Sequence, residues 1–122
     1  MDPVLGNPSA TTVILGNGTI KSSTFTTSST VADQVIDTFD KTIYRSVKYQ
    51  IQITHSNDFH ITEIYAVHDT NSVHITEYGI ILTNGALASF DVGLNGSNVE
   101  LRATPTNNGS TVFKVMTTLI NI

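Results

Sequence analysis

From Ser46 to Thr54 the apolar residues Val47, Tyr49, Ile51 and Ile53 alternate with Ser46, Lys48, Gln50, Gln52 and Thr54. A period of two predicts a strand with one buried and one solvated face. Comparable runs of β-branched and aromatic residues predict further strands over 11–15, 19–25, 59–68, 73–83, 89–94, 99–103 and 111–121. The segment 28–39 is ambiguous, because Val31, Val35 and Phe39 fall at helical spacing. Its Thr and β-branched content, and its β surroundings, favour a strand over 34–39.

Four Asn-Gly dipeptides, Asn17-Gly18, Asn84-Gly85, Asn95-Gly96 and Asn108-Gly109, punctuate these runs and read as hairpin turns. A type I′ turn needs positive φ at both central residues, which Asn tolerates and Gly adopts freely. Eight or nine short strands at such spacings predict an all-β chain, a two-sheet antiparallel sandwich of jelly-roll-like order. The sandwich should fill residues 10–122 as one domain. Pro3, Gly6, Asn7 and Pro8 make residues 1–9 an extended N-terminal arm.

The longest expected hairpin turns through Asp69-Thr70-Asn71-Ser72, a good turn composition, and pairs His68 with Val73. That register puts Phe59, Ile61, Tyr65, Val67, Tyr78, Ile80 and Leu82 on one face, which is expected to be core. Ile64, Ala66, Val73, Ile75 and Ile81 fall on the other, which is too apolar to be left wet and is expected either to lie in part beneath the N-terminal segment or to be a subunit contact, the reading that inclines toward an assembly protein. Ile64, Ala66, Val73, Ile75 and Ile81 are the candidate site residues.

A length of 122 residues with 39% hydrophobic content suits a single core. Only 13% of residues are charged and the net charge is −4, with six scattered basic residues, which argues against a nucleic-acid partner. No run approaches the ~20 apolar residues of a membrane helix. Residues 1–9 lack the pattern of a signal peptide, so the chain is expected to be made in the cytoplasm. With no cysteine, neither disulfides nor thiolate metal sites are available.

His60-Ile61-Thr62-Glu63 recurs as His74-Ile75-Thr76-Glu77, and two His with two Glu are the residue types of a zinc or acid–base site. The expected register opposes Glu63 to Tyr78 and Glu77 to Ile64, so the carboxylates, like the two imidazoles, face opposite ways. A one-residue slip would unite them. His55, Asp58 and His60 form a second candidate cluster, with Asn57-Asp58 read as a turn, and Arg45 is a candidate ion-pair partner for Glu63 or Glu77. No nucleophile elbow or phosphate-binding Gly loop is present. The residues thus offer no catalytic group, cofactor site or metal site.

From about residue 28 to 119 the chain resembles a β domain of virion structural proteins from marine, cyanophage-like tailed phages. The likeness is carried by Asp37-Thr38-Phe39, Tyr44-Arg45-Ser46 with Lys48-Tyr49, Gln52-Ile53, Thr62-Glu63-Ile64, Val67-His68-Asp69, Thr76-Glu77-Tyr78-Gly79, Phe90-Asp91 and Leu101-Arg102-Ala103-Thr104-Pro105. These are strand and turn motifs, so the resemblance implies a domain and a virion setting without active residues. It implies a capsid decoration or cement protein that docks on other virion proteins, the major capsid protein foremost, as a homo-oligomer with a trimer as the first expectation. The alternative is a tail, neck or fibre module that binds a host glycan. Exposed aromatic residues discriminate between the two, because sugars stack on ring faces. The chain has no Trp, and its Tyr and Phe fall in strand patterns, which favours the decoration reading.

Overall fold

A computed structural model describes residues 11–122; the expected N-terminal arm lies outside the described residues. Every regular element is a strand: β1 (Thr12–Leu15), β2 (Gly18–Thr27), β3 (Gln34–Asp40), β4 (Tyr44–His55), β5 (Asp58–His68), β6 (Val73–Leu82), β7 (Ala88–Asn95), β8 (Asn98–Pro105) and β9 (Thr111–Asn121). They form a six-stranded sheet in the order β1-β2-β9-β4-β5-β6 and a three-stranded sheet in the order β3-β8-β7. Every pairing is antiparallel, so the two-sheet antiparallel sandwich is as expected. The finer expectation of a jelly-roll order finds no specific support in a sheet where β4, β5 and β6 follow one another as a meander.

The alternation on β4 works as predicted. Val47, Tyr49, Ile51 and Ile53 are buried and meet Phe113, Val115 and Leu119 of β9 on the same inner face. Ile36, Phe39, Leu87, Val92, Val99 and Leu101 close the core from the three-stranded side. A polar clamp joins the layers: Lys21 Nζ lies 3.1 Å from Asp37 Oδ1, and the buried Thr117 hydroxyl donates to Asp37 Oδ2 at 3.0 Å.

The helical spacing of Val31, Val35 and Phe39 marks no shared face, since Val31, before β3, and Val35, on it, are exposed and only Phe39 is core. A bulge between Val35 and Asp37 shifts the phase of β3, so that Ile36 and Phe39 both turn inward, three residues apart. The Asn-Gly dipeptides also act differently from expectation. Two lie in hairpins but one place off, since β1–β2 turns through Gly16-Asn17 and β7–β8 through Gly96-Ser97, with Gly96 at φ 61°. Asn84-Gly85 and Asn108-Gly109 lie in connections between the two sheets rather than in hairpins. Gly85 and Gly109 have positive φ there, the same backbone freedom used for a crossing.

Candidate binding face on the six-stranded sheet

The face assignment of the β5–β6 hairpin is inverted. Its register is as predicted, with His68 opposite Val73, Glu63 opposite Tyr78 and Glu77 opposite Ile64. But β4 and β5 are joined by the two-residue turn Ser56-Asn57, which pairs Ile53 with His60, Tyr49 with Ile64 and Val47 with Ala66. Directly opposed residues share a face, so the buried face of β4 continues through His60, Thr62, Ile64, Ala66 and His68. Ile64 and Ala66, expected at an interface, are therefore core, and Ile64 is only 1% exposed. Val73 packs partly buried against the core. Ile75 keeps the inner face, opposite Ala66, but is exposed on the edge strand.

Ile81 is moved by a second bulge. Glu63 opposes Tyr78 while Ile61 opposes Ile81, so Gly79 and Ile80 together face Thr62. Gly79 adopts φ 68°, the left-handed conformation of a glycine bulge. Beyond it Ile81 points outward with Ile61, 63% exposed.

Phe59, Ile61, Tyr65, Val67 and Tyr78, expected in the core, consequently line the outer face and are all exposed. Across that face the rungs read Lys114, Gln52, Ile61, Ile81, then Met116, Gln50, Glu63, Tyr78, then Thr118, Lys48, Tyr65, Thr76, and finally Ile120, Ser46, Val67, His74. The outer face thus carries a polar strip along β4, flanked by apolar and aromatic residues.

Its middle is organised by four side chains. The Tyr65 and Tyr78 rings stack with centroids 5.6 Å apart and planes inclined by 17°. Lys48 Nζ sits 5.6 Å from the centre of the Tyr65 ring and 3.1 Å from Glu63 Oε1. The Tyr78 hydroxyl donates to the same oxygen at 3.0 Å. The Lys48 ammonium and then the Tyr78 hydroxyl hold the Glu63 carboxyl below its usual range, and the bonded carboxylate raises Lys48. Desolvation, and then Glu63, push the Tyr78 phenol up. Two hollows flank this cluster. One of about 440 Å³ is lined by Gln50, Gln52, Ile61, Glu63, Lys114 and Met116, and one of about 370 Å³ by Ser46, Tyr65, Val67, His74 and Thr76 among others.

The other candidates are dispersed. His60 turns inward, where Nδ1 accepts the Leu87 N–H at 3.1 Å, whereas His74 faces outward, 3.6 Å from Asp69. Glu77 accepts from the buried Thr62 hydroxyl at 2.7 Å on the face opposite Glu63. His55 and Asp58 are a cross-strand pair at the β4–β5 turn, and His55 Nδ1 contacts the Ser110 carbonyl at 3.1 Å, away from His60. Arg45 meets neither glutamate; its guanidinium donates to the His68 carbonyl at 3.2 Å. Among the described residues no group of three or more His, Cys, Asp or Glu is placed to hold a metal. Nor, among the described residues, is any helix long and apolar enough to cross a membrane.

No family model and no curated protein matches the chain. Among solved structures, it is similar to the tailspike protein of Acinetobacter baumannii phage AM24, with a TM-score of 0.42 and 8% sequence identity. The match covers 84% of this chain and 26% of that one, so the chain spans about a quarter of that protein's length.

Proposed function

We propose that this chain is a structural protein of a tailed-phage virion, acting as a tail, neck or fibre module that binds a glycan on the outer face of its six-stranded sheet. The virion setting rests on the sequence resemblance. The observation that carries the module over a decoration protein is the exposed Tyr65–Tyr78 stack, with the two rings 48% and 38% exposed. Tyr65 lies between Lys48 and Tyr78, so the pair, held by Lys48 and Glu63 on an open sheet, offers a sugar a fixed aromatic rim together with the side of Tyr78 turned away from Tyr65. In the core, where the sequence pattern had put them, they would be useless for that purpose.

A second reading keeps the decoration or cement protein. It is favoured by the exposure of Ile61, Val67, Ile81, Met116 and Ile120 on the same face, an apolar area of the kind that marks subunit contacts. Such a protein would assemble as a homo-oligomer on the major capsid protein. Mass spectrometry of purified virions, followed by gold labelling of intact particles, tests both. Label at the tail or neck supports the first reading and label over the shell supports the second. Absence of the protein from particles removes both.

A further inference from the structure

The geometry points to an acidic oligosaccharide, a chain of several sugars bearing carboxylates, as the ligand of the two hollows on the outer face. The inference rests on the glycan-binding reading and adds the charge and length of the glycan.

Length follows from the layout. The hollows of about 440 and 370 Å³ lie on either side of the Lys48, Glu63, Tyr65 and Tyr78 cluster. From the rung of Gln52 to that of Ser46 is roughly 20 Å at the rise of a strand. Such a span suits a linear chain that crosses the tyrosine ledge and places rings in both hollows. A lone monosaccharide would fill only one.

Charge follows from the side chains. Lys48 and Lys114 face the single carboxylate of Glu63 on these rungs, a surplus of one positive charge in a chain whose net charge is −4. Lys48 is engaged by Glu63. Lys114 lines the larger hollow, and among the described residues no carboxylate lies within ion-pair distance of it. Gln50 and Gln52 stand beside it, each with an amide that donates and accepts, the bonding pattern of sugar hydroxyls. A carboxylate on the sugar completes Lys114, the hydroxyls meet the glutamines, and the apolar side of a sugar ring packs on the rim of the tyrosine pair. Single-stranded nucleic acid shares stacking and negative charge, but two lysines are too few to track a phosphate backbone against the charge of the whole chain.

The test is titration of the isotope-labelled protein with oligouronates, uncharged gluco-oligosaccharides of equal length and an oligothymidylate, followed by amide shifts in NMR. Oligouronates should move the amides of Gln50, Gln52, Glu63, Tyr65 and Lys114, and binding should weaken with added salt. Lys114→Gln should lower the affinity about tenfold, the scale of one charge-assisted hydrogen bond. Tyr65→Ala should lower it several-fold, and Asp91→Asn, on the three-stranded sheet, should leave it unchanged. Shift mapping on the unaltered protein decides the matter if a variant fails to fold. Preference for the uncharged oligomers overturns the inference while sparing the glycan reading. Binding to none, or tighter binding to oligothymidylate, overturns both. Oligouronate binding by a protein absent from virions sustains the inference while removing the virion reading.

Discussion

Truncating Ile64 and Ile61 in turn tests the face assignment directly, since they are near neighbours on β5 with opposite orientations. Ile64 is 1% exposed and opposes the fully buried Tyr49, whereas Ile61 is 41% exposed and looks outward. Ile64→Ala removes three carbons from a closed site, about 2.4 kcal/mol of transfer free energy at ~0.8 kcal/mol per methylene. A residual cavity of roughly 50 Å³ adds about 1.2 kcal/mol at ~24 cal/mol per Å³, for a total near 3.5 kcal/mol. Ile61→Ala removes the same atoms from a half-open site that water refills, so about 1.5 kcal/mol is an upper figure. At ~2.1 cal/mol/K per residue, the difference of about 2 kcal/mol separates the melting temperatures by roughly 8 °C. Urea unfolding followed by far-UV circular dichroism supplies both values at equal m. Equal losses, or a larger loss at Ile61, would show that the hairpin packs with its other face inward and would refute the assignment.

Acid should destabilise the fold in two stages. Burial pushes His60 below its ordinary 6.5, and its Nδ1 already accepts the Leu87 N–H, so the folded state binds fewer protons than the unfolded chain. Its contribution is complete above about pH 6.5 and is lost as the pH falls through the lower folded value, so denaturation midpoints should decline below pH 6.5 and His60→Gln should flatten that first decline. Asp69, held down to about 2 by the Ser72 and Asn71 backbone N–H groups, and the lowered Glu63 and Glu100 act the same way in the carboxylate range, so the second decline begins near pH 4.5. Tyr49→Phe should be neutral or stabilising by up to about 1 kcal/mol, because the buried hydroxyl has no hydrogen-bond partner; a clear loss in thermal unfolding would reveal one. Gly18→Ala should cost at least about 2 kcal/mol, as its Cβ would stand 2.0 Å from the Leu119 carbonyl oxygen of the neighbouring strand; unchanged stability would mean that β2 and β9 are not paired there.

Strand positions were legible wherever one face is buried by two neighbours, as on β4, where the sequence states the pattern outright. What stayed illegible depends on neighbours. Taken by itself, the β5–β6 hairpin carries its larger apolar and aromatic set on the face with Phe59, Tyr65 and Tyr78. The burial was set by β4 instead: the tight Ser56-Asn57 turn forces Ile53 opposite His60, so the modest set His60, Thr62, Ile64 and Ala66 goes inward. That turn was readable, and pairing across it would have exposed the tyrosines to view. The bulges at Val35–Asp37 and at Gly79 were harder, since each breaks the period of two; the first puts Ile36 and Phe39 inward three residues apart and the second carries Ile81 to the other face.

The proposed binding face is the outer side of the wider of the two sheets. The three-stranded sheet packs on the inner face of the six-stranded one, and its own outer face carries a self-paired polar cluster: Arg102 Nε donates to Glu100 Oε1 at 3.1 Å, Asn95 donates to Glu100 Oε2 at 3.0 Å, and Gly93 leaves room for the guanidinium. Edge pairing is also discouraged on the wide sheet. β1 is only four residues long, and the bulge at Gly79 bends β6, two devices that blunt an edge against strand addition. With the wide sheet's edges blunted and the narrow sheet's outer face largely self-paired, the outer face of the wide sheet is the surface we propose for recognition. It is also where hydrogen-bonding amides, a lysine without an ion-pair partner among the described residues and a fixed aromatic pair share one surface. A flat strand edge selects partners by backbone alone; a face patterned rung by rung with Gln52, Gln50, Lys48 and the tyrosines selects by side-chain chemistry, as recognition of a particular glycan requires.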